Sequence, residues 1–292
     1  MKIIVTLLLA AAIFGGGIYA AWKLYVKPRQ DLQMEKASGP AAPPPDPTLP
    51  EYQKRLAAQD QQSLVDARKS WTDFIERYPE SSKINEAKDI LGKLNTAVFL
   101  SPIQTPEKEV YLVKSGDVIT RVAQRLKTSP ELLMRSNNLQ GSMLKIGQKL
   151  LVSPSDFSVV ISRRLQKVTL LNSGKFFKQY SILKMPGHGS PAADTSKKKA
   201  APTPRPPKVT GRVADRIAWY NGNRVNFTEK EYAAADNWVI VNPAGHSLYC
   251  ERPAPPGTTT VQKPAGGGYV LAPEDLREIA ALVKKNDPVT ID

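Results

Sequence analysis

The chain has 292 residues, and 41 Lys and Arg against 27 Asp and Glu give it a formal net charge of +14. That length accommodates two domains with tails, and 25 prolines with 18 glycines point to long unstructured connectors. One cysteine excludes an intramolecular disulfide framework and a cysteine-based metal cluster, two histidines leave most catalytic constellations poorly supplied, and no cofactor is implied.

Residues Ile3 to Val26 are nearly continuously apolar, broken only by Lys23. As a helix this run rises roughly 36 Å at ~1.5 Å per residue, enough to cross a bilayer core of ~30 Å. Tyr19, Trp22 and Tyr25 lie near one end, where interfacial aromatic residues belong. The expectation is an uncleaved transmembrane anchor over 3–26. The competing reading is a cleaved signal peptide, with Lys2 as its basic start and Ile18-Tyr19-Ala20 as the cleavage site. No cysteine follows the apolar run, so a lipoprotein anchor is excluded. Lys23, Lys27 and Arg29 follow the span and Lys2 alone precedes it, which by the positive-inside rule places the remainder in the cytoplasm. The module at 109–154 demands the other side.

Residues 27–56 read as a stiff, solvated linker with Gly39-Pro40-Ala41-Ala42-Pro43-Pro44-Pro45 at its centre. Residues 57–98 read as a helical hairpin. Leu64, Ala67, Trp71, Phe74 and Ile75 share one helix face, Ser81 or Ser82 caps the second helix, and Ile84, Ala87, Ile90, Leu91 and Leu94 repeat along it. The phrase Trp71-x-x-Phe74-Ile75-x-x-Tyr78-Pro79, followed by Glu86-Ala87, resembles a tetratricopeptide-type hairpin. A lone repeat cannot bury its own face, so it is expected to pack on the following domains or to pair between chains.

Residues 109–154 alternate through Val110 to Val113, turn at Ser115-Gly116-Asp117 with a helix N-cap, and place Ile119, Val122, Ala123 and Leu126 at helical spacing. Ser129-Pro130 restarts a helix through Leu132 and Leu133 to Asn138, and Lys149 to Val152 is a second strand. The pattern Tyr111-x-Val113-x-x-Gly116-Asp117-x-Ile119-x-x-Val122-Ala123, then Leu133, Asn137, Leu139, Ile146-Gly147-Gln148-x-Leu150 and Pro154, resembles a LysM domain. That resemblance implies a βααβ unit binding N-acetylglucosamine-containing polymers, chiefly peptidoglycan or chitin. It places the sugar in a shallow groove between two loops, on Gly116, Asp117, Val118, Ile119 and Thr120 of the first and Asn138, Leu139, Leu144 and Ile146 of the second. Loops expose the backbone partners that acetamides need, beside a small apolar floor.

Residues 157–292 read as a β-rich domain with one late helix. Strands are expected at 157–162, 167–171, 176–183, 212–219, 237–241, 246–250 and 289–291, and an amphipathic helix at Pro273 to Lys285. Residues 185–208 interrupt them as a disordered basic loop. Its lysines have no aromatic interleaving, so nucleic acid is not the expected partner; anionic lipid or wall carboxylates suit it better. The strand pairs at 157–161 and 168–170, Val209-Thr210-Gly211 and the run Gly268-Tyr269-Val270-Leu271 resemble an L,D-transpeptidase catalytic domain. That family's Ser-His-Gly-Cys followed by Ile-Arg falls on Ala265 to Val270, with Gly266 in the histidine position, Gly268 in the cysteine position and Val270 in the arginine position. A glycine cannot form an acyl-enzyme. Cys250 with His246 is no replacement, because four strand steps of ~3.3 Å separate them by about 13 Å.

The fold expected is therefore α+β and multidomain: transmembrane helix, helical hairpin, βααβ LysM module and C-terminal β-rich domain. The function expected is a non-catalytic protein of the bacterial inner membrane, single-pass, with its C-terminal region in the periplasm. Its partners would be peptidoglycan glycan strands, the membrane and an envelope protein, and its catalytic and metal sites none. The alternatives are a transpeptidase using Cys250 and an envelope scaffold.

Overall fold

A computed structural model describes residues 22–30, 46–153, 155–186, 208–251 and 263–292. Most of the apolar run at 3–26, the cleavage site at 18–20, the proline-rich centre of the linker and nearly all of the basic loop at 185–208, with His188, lie outside the described residues. Trp22–Val26 form a π-helical turn with exposed side chains. Among the described residues no helix is long and apolar enough to cross a membrane. The chain divides into two compact units, Met1–Pro47 and Thr48–Asp292. The second holds every element below.

That unit opens with a helix inside the stretch read as linker. Helix α1 (Leu49–Ala58) starts on Pro50, which needs no amide partner there. It buries one residue, Tyr52, whose ring stands edge-on to Trp71 at 5.4 Å and Phe74 at 5.9 Å and whose hydroxyl donates to Glu86 at 3.0 Å. The linker therefore ends before Leu49 and the hairpin is a three-helix layer. Helix α2 (Leu64–Arg77) is capped by Ser63, which accepts from the Asp66 amide. Helix α3 (Ile84–Phe99) has Lys83 as its N-cap with no side-chain bond; Ser81 instead accepts from the Lys83 amide, so neither expected serine caps it. Lys108 is buried at the far end of α3, donating to the Val98 carbonyl at 2.8 Å and the Ser101 carbonyl at 2.5 Å, a cation where the helix dipole is negative.

The hairpin packs on the domain that follows. Gly92 lies so near strand β5 (Lys175–Ser181) that an added Cβ would meet Lys178 Cγ at 2.7 Å. Asn95 donates to the Phe177 carbonyl at 2.7 Å. Phe99 completes an aromatic triad with Phe157 and Phe177, ring centres 5.1 to 5.5 Å apart, inside the core of the sheet.

Strand β1 (Glu109–Leu112), helix α4 (Ile119–Arg125), helix α5 (Pro130–Ser136) and strand β2 (Lys149–Val152) form the βααβ unit, with β1 and β2 antiparallel. Ser129 caps α5 as expected, accepting from the Leu132 amide at 3.0 Å. Adjacent residues of α5 point about 100° apart, and they serve two cores. Leu133 joins Val113, Ile119, Val122 and Leu150 inside the unit, whereas Leu132 enters the core of the large sheet. Ser129 donates to the Ala281 carbonyl at 3.1 Å, and Tyr232 donates to Glu131 at 2.7 Å.

The large sheet has nine strands: β3 (Phe157–Ser162), β4 (Lys167–Asn172), β5, β6 (Val209–Tyr220), β7 (Asn223–Val225), β8 (Asp236–Asn242), β9 (Ser247–Tyr249), β10 (Gly268–Val270) and β11 (Pro288–Ile291). Their order is β10-β9-β8-β6-β11-β3-β4-β5, with β7 beside β6. The C-terminal strand β11 lies in the middle, parallel to β3 and antiparallel to β6. Helix α6 (Pro273–Leu282) lays Leu276, Ile279 and Ala280 on the core. It ends earlier than the expected Lys285. The strand expected at 246–250 contracts to Ser247–Tyr249, and β7 and β10 are strands the sequence reading did not contain.

Two tyrosines, Tyr180 buried and Tyr232 half-buried, bond carboxylates across these layers. Burial first, then Glu278, pushes the Tyr180 hydroxyl well above its ordinary value; burial, then Glu131, does the same to Tyr232. Both folded values exceed the unfolded value of about 10, so the stability they contribute is full below pH ~10 and lost as pH rises through it. Tyr232→Phe is expected to reduce the fall in Tm between pH 9.5 and 11.5 relative to the unmodified chain. Parallel melting-temperature profiles for the two proteins would refute this linkage.

Candidate functional site

The ladder of β1 and β2 continues past the pair Leu112–Lys149, with the Val113 amide donating to Gln148 O and the Gly147 amide to Val113 O, both at 2.9 Å. The loop after β1 and the loop before β2 therefore emerge at one end of the unit. Gly116 and Gly147 adopt φ of 82° and 81°. A Cβ at either would meet nothing within 4 Å, so backbone conformation and not space calls for glycine there.

Asp117 holds the first loop. Its carboxylate accepts from the Tyr111 hydroxyl at 2.6 Å and the Lys114 amide at 2.9 Å, and it lies 3.5 Å from Arg125, which also donates to the Tyr111 hydroxyl. The Tyr111 bond, then the Lys114 amide, then Arg125 hold its pKa below the usual carboxylate range. Helix α4 has Val118 as its N-cap with no side-chain bond, so the cap expected at Ser115 to Asp117 is absent and Asp117 ties the turn to β1 instead.

The nine expected glycan-binding residues separate by burial. Ile119 belongs to the core of the unit, and Leu139 and Leu144 pack partly buried against it. Gly116, Asp117 and Asn138, the last at φ 51°, shape the two loops. Val118 at 43 % and Ile146 at 74 % exposure present apolar surface to solvent, and Thr120 is also exposed. Met143, 89 % exposed on the second loop, extends the same apolar set and was not among the nine. Asn137 was also passed over as a site residue. Its side chain donates to the Leu133 and Leu151 carbonyls at 2.9 and 2.8 Å and accepts from the Leu151 amide at 2.7 Å, fixing the start of the second loop to β2. Its position just past α5, before a second asparagine, was the available signal.

The run at 265–270 is shaped by close backbone approach. Gly268, at φ 155° and paired with Ser247 of the parallel neighbour β9, has no room for a side chain: an added Cβ would sit 1.9 Å from Ser247 O. At Gly266, φ 77°, a Cβ would sit 2.8 Å from the Gly245 amide nitrogen. Val270 is buried with Trp238 and Tyr249. Cys250 is 2 % exposed, and burial pushes its thiol up, away from the nucleophilic thiolate. His246 has Tyr269 as its neighbour, Nδ1 to hydroxyl 3.4 Å, and burial then Arg163 depress its pKa. Among the described residues no group of three His, Cys, Asp or Glu is placed to hold a metal ion.

Residues 111–153 match the LysM domain family model. They are a LysM domain, and its βααβ elements are those described above. No curated protein matches the sequence. Among solved structures, similarity extends to an L,D-transpeptidase of Enterococcus faecium crystallised as a cysteine-to-serine mutant, with 12 % identity over 52 % of this chain and 58 % of that one at a TM-score of 0.26. L,D-transpeptidase 1 of Mycobacterium tuberculosis gives 12 % identity over 50 % and 67 % at a TM-score of 0.27. An L,D-transpeptidase of Stackebrandtia nassauensis gives 17 % over 71 % and 78 %, also at 0.27. The chain spans less than two thirds of the first of these.

Proposed function

We propose that this is a cell-envelope protein without catalytic activity that binds peptidoglycan glycan strands through its LysM domain. The observation that carries the reading is the LysM match at 111–153 together with the exposure of Val118, Met143 and Ile146 on two loops at one end of that domain. Apolar side chains exposed on loops suit the faces and acetamide methyls of N-acetylglucosamine. The absence of catalysis is supported by Gly266 and Gly268, where the backbone admits no side chain, and by the buried Cys250 thiol. Tethering by the apolar run at 3–26, in a bacterial inner membrane with the LysM domain outside the cytoplasm, completes the proposal.

The test is co-sedimentation of the full chain, in mild detergent, with insoluble peptidoglycan, with muropeptides in the supernatant profiled in the same tubes. The wild type is expected to pellet and leave the muropeptide profile unchanged. Val118→Asp combined with Ile146→Asp is expected to lower the pelleted fraction at least several-fold with an unchanged Tm, because both side chains are exposed. No pelleting of the wild type would refute glycan binding and leave a scaffold. A changed muropeptide profile that thiol alkylation abolishes would instead make the protein an enzyme using Cys250.

A further inference from the structure

A second concavity, of about 730 Å³, lies where the LysM domain meets the large sheet. That volume is within the range of small-ligand sites. Its walls are held apart at a fixed spacing, since Leu132 is shared with the core of the sheet, Ser129 donates to Ala281 O and Lys284 donates to Ser155 O. One wall is α4 and the turn after it: Thr120 and Gln124 lie one above the other on the helix at i and i+4, and Lys127 follows in the turn at φ 53°. Thr120 belongs as well to the loop-and-helix start proposed to touch glycan, so this wall leads from that groove into the cleft. The rim carries both signs of charge, Lys127 against Glu109 and Asp156, while Lys284 is paired with Asp287 at 3.3 Å. Lys127, Glu109 and Asp156 make no side-chain hydrogen bond or ion pair among the described residues, so they are available to a ligand.

We infer that this cleft takes the peptide stem of peptidoglycan, a short peptide bearing free carboxylates and, from its diamino acid, an ammonium group. A neutral glycan has no use for three unpaired charged groups, and a polyanion would be repelled by Glu109 and Asp156. A zwitterionic peptide matches both signs, with a carboxylate toward Lys127 and the ammonium toward Glu109 and Asp156. The stem is covalently joined to the glycan, so a strand seated on the two loops brings it to Thr120. The inference extends the glycan reading and rests on it for how the stem arrives.

The test is calorimetric titration of the full chain with a stem-bearing muropeptide oligomer, with the same glycan stripped of its stems by an amidase, and with the free stem peptide. The stem-bearing ligand is expected to bind about tenfold tighter than the stripped glycan, about 1.4 kcal/mol. Lys127→Glu is expected to remove that difference while leaving affinity for the stripped glycan unchanged, since Lys127 lies outside the two loops. Equal affinity of the two glycans for the wild type overturns the cleft and leaves the glycan reading standing. Binding of the free peptide alone, lost in Lys127→Glu, upholds the cleft and overturns the glycan reading. No binding of any of the three overturns both.

Discussion

Gly268→Cys, which places a thiol at the position that the sequence resemblance assigns to a nucleophile, is expected to destabilise the protein strongly and to gain no activity. Any Cβ at 268 lies 1.9 Å from the Ser247 carbonyl oxygen and 2.7 Å from two further backbone atoms of Ser247. Those atoms belong to the neighbouring strand β9 and not to a side chain that can swing aside, so β10 must leave its pairing. Backbone strain at the position, φ 155°, adds to the clash. Effects of this kind fall in the exceptional class, on the order of 4 kcal/mol or more. For a unit of this size that is a loss in Tm of about 8–16 °C, measured by circular dichroism, and Gly268→Ala should behave the same way. A Gly268→Cys protein with wild-type Tm and a readily alkylated second thiol would show that the segment has room for a nucleophile. That result would count against the proposed absence of catalysis.

Leu132→Ala is expected to destabilise the whole Thr48–Asp292 unit, not the LysM domain alone. Leu132 is 2 % exposed in the core of the large sheet although it belongs to a LysM helix. Truncation of a buried leucine costs about 2–5 kcal/mol, as transfer free energy plus the cavity left behind. Because the two domains share that core, unfolding should remain one cooperative transition moved down by about 4–20 °C. Leu133→Ala, beside it but inside the LysM core, should move the same single transition. Two separated transitions, with only the first displaced, would show the LysM domain to be an independent bead. Deleting 109–154 is for the same reason a poor control for glycan binding, since it opens the sheet, whereas Val118→Asp with Ile146→Asp leaves both cores intact.

How far the residues could be read depended on how local the determining interactions are. The LysM elements were legible because strand, two helices and strand follow one another closely, each announced by its own periodicity and by Ser129-Pro130 at a helix start. The groove residues were legible only as a set. Burial divided them, sending Ile119 inward and leaving Val118 and Ile146 outside with the unanticipated Met143. Asp117 looked like a cap because it precedes a helix; Tyr111 and Arg125, six and eight residues away, made it a tie to β1 instead. Helix α1 escaped notice because its ten residues bury a single side chain, Tyr52, whose partners Trp71 and Phe74 lie beyond the next turn.

The sequence by itself determined the LysM domain, the amphipathic helices, the alternating strands and the poverty of catalytic side chains, because each is written in short-range spacing or in composition. Only the tertiary structure decided that β11 would enter the middle of the sheet between β3 and β6, that the hairpin and LysM domain would each lend a side chain to its core, and that Gly268 would face a backbone too close for any Cβ. These are contacts between residues far apart in the chain, and their free energy appears only when the intervening loops have closed.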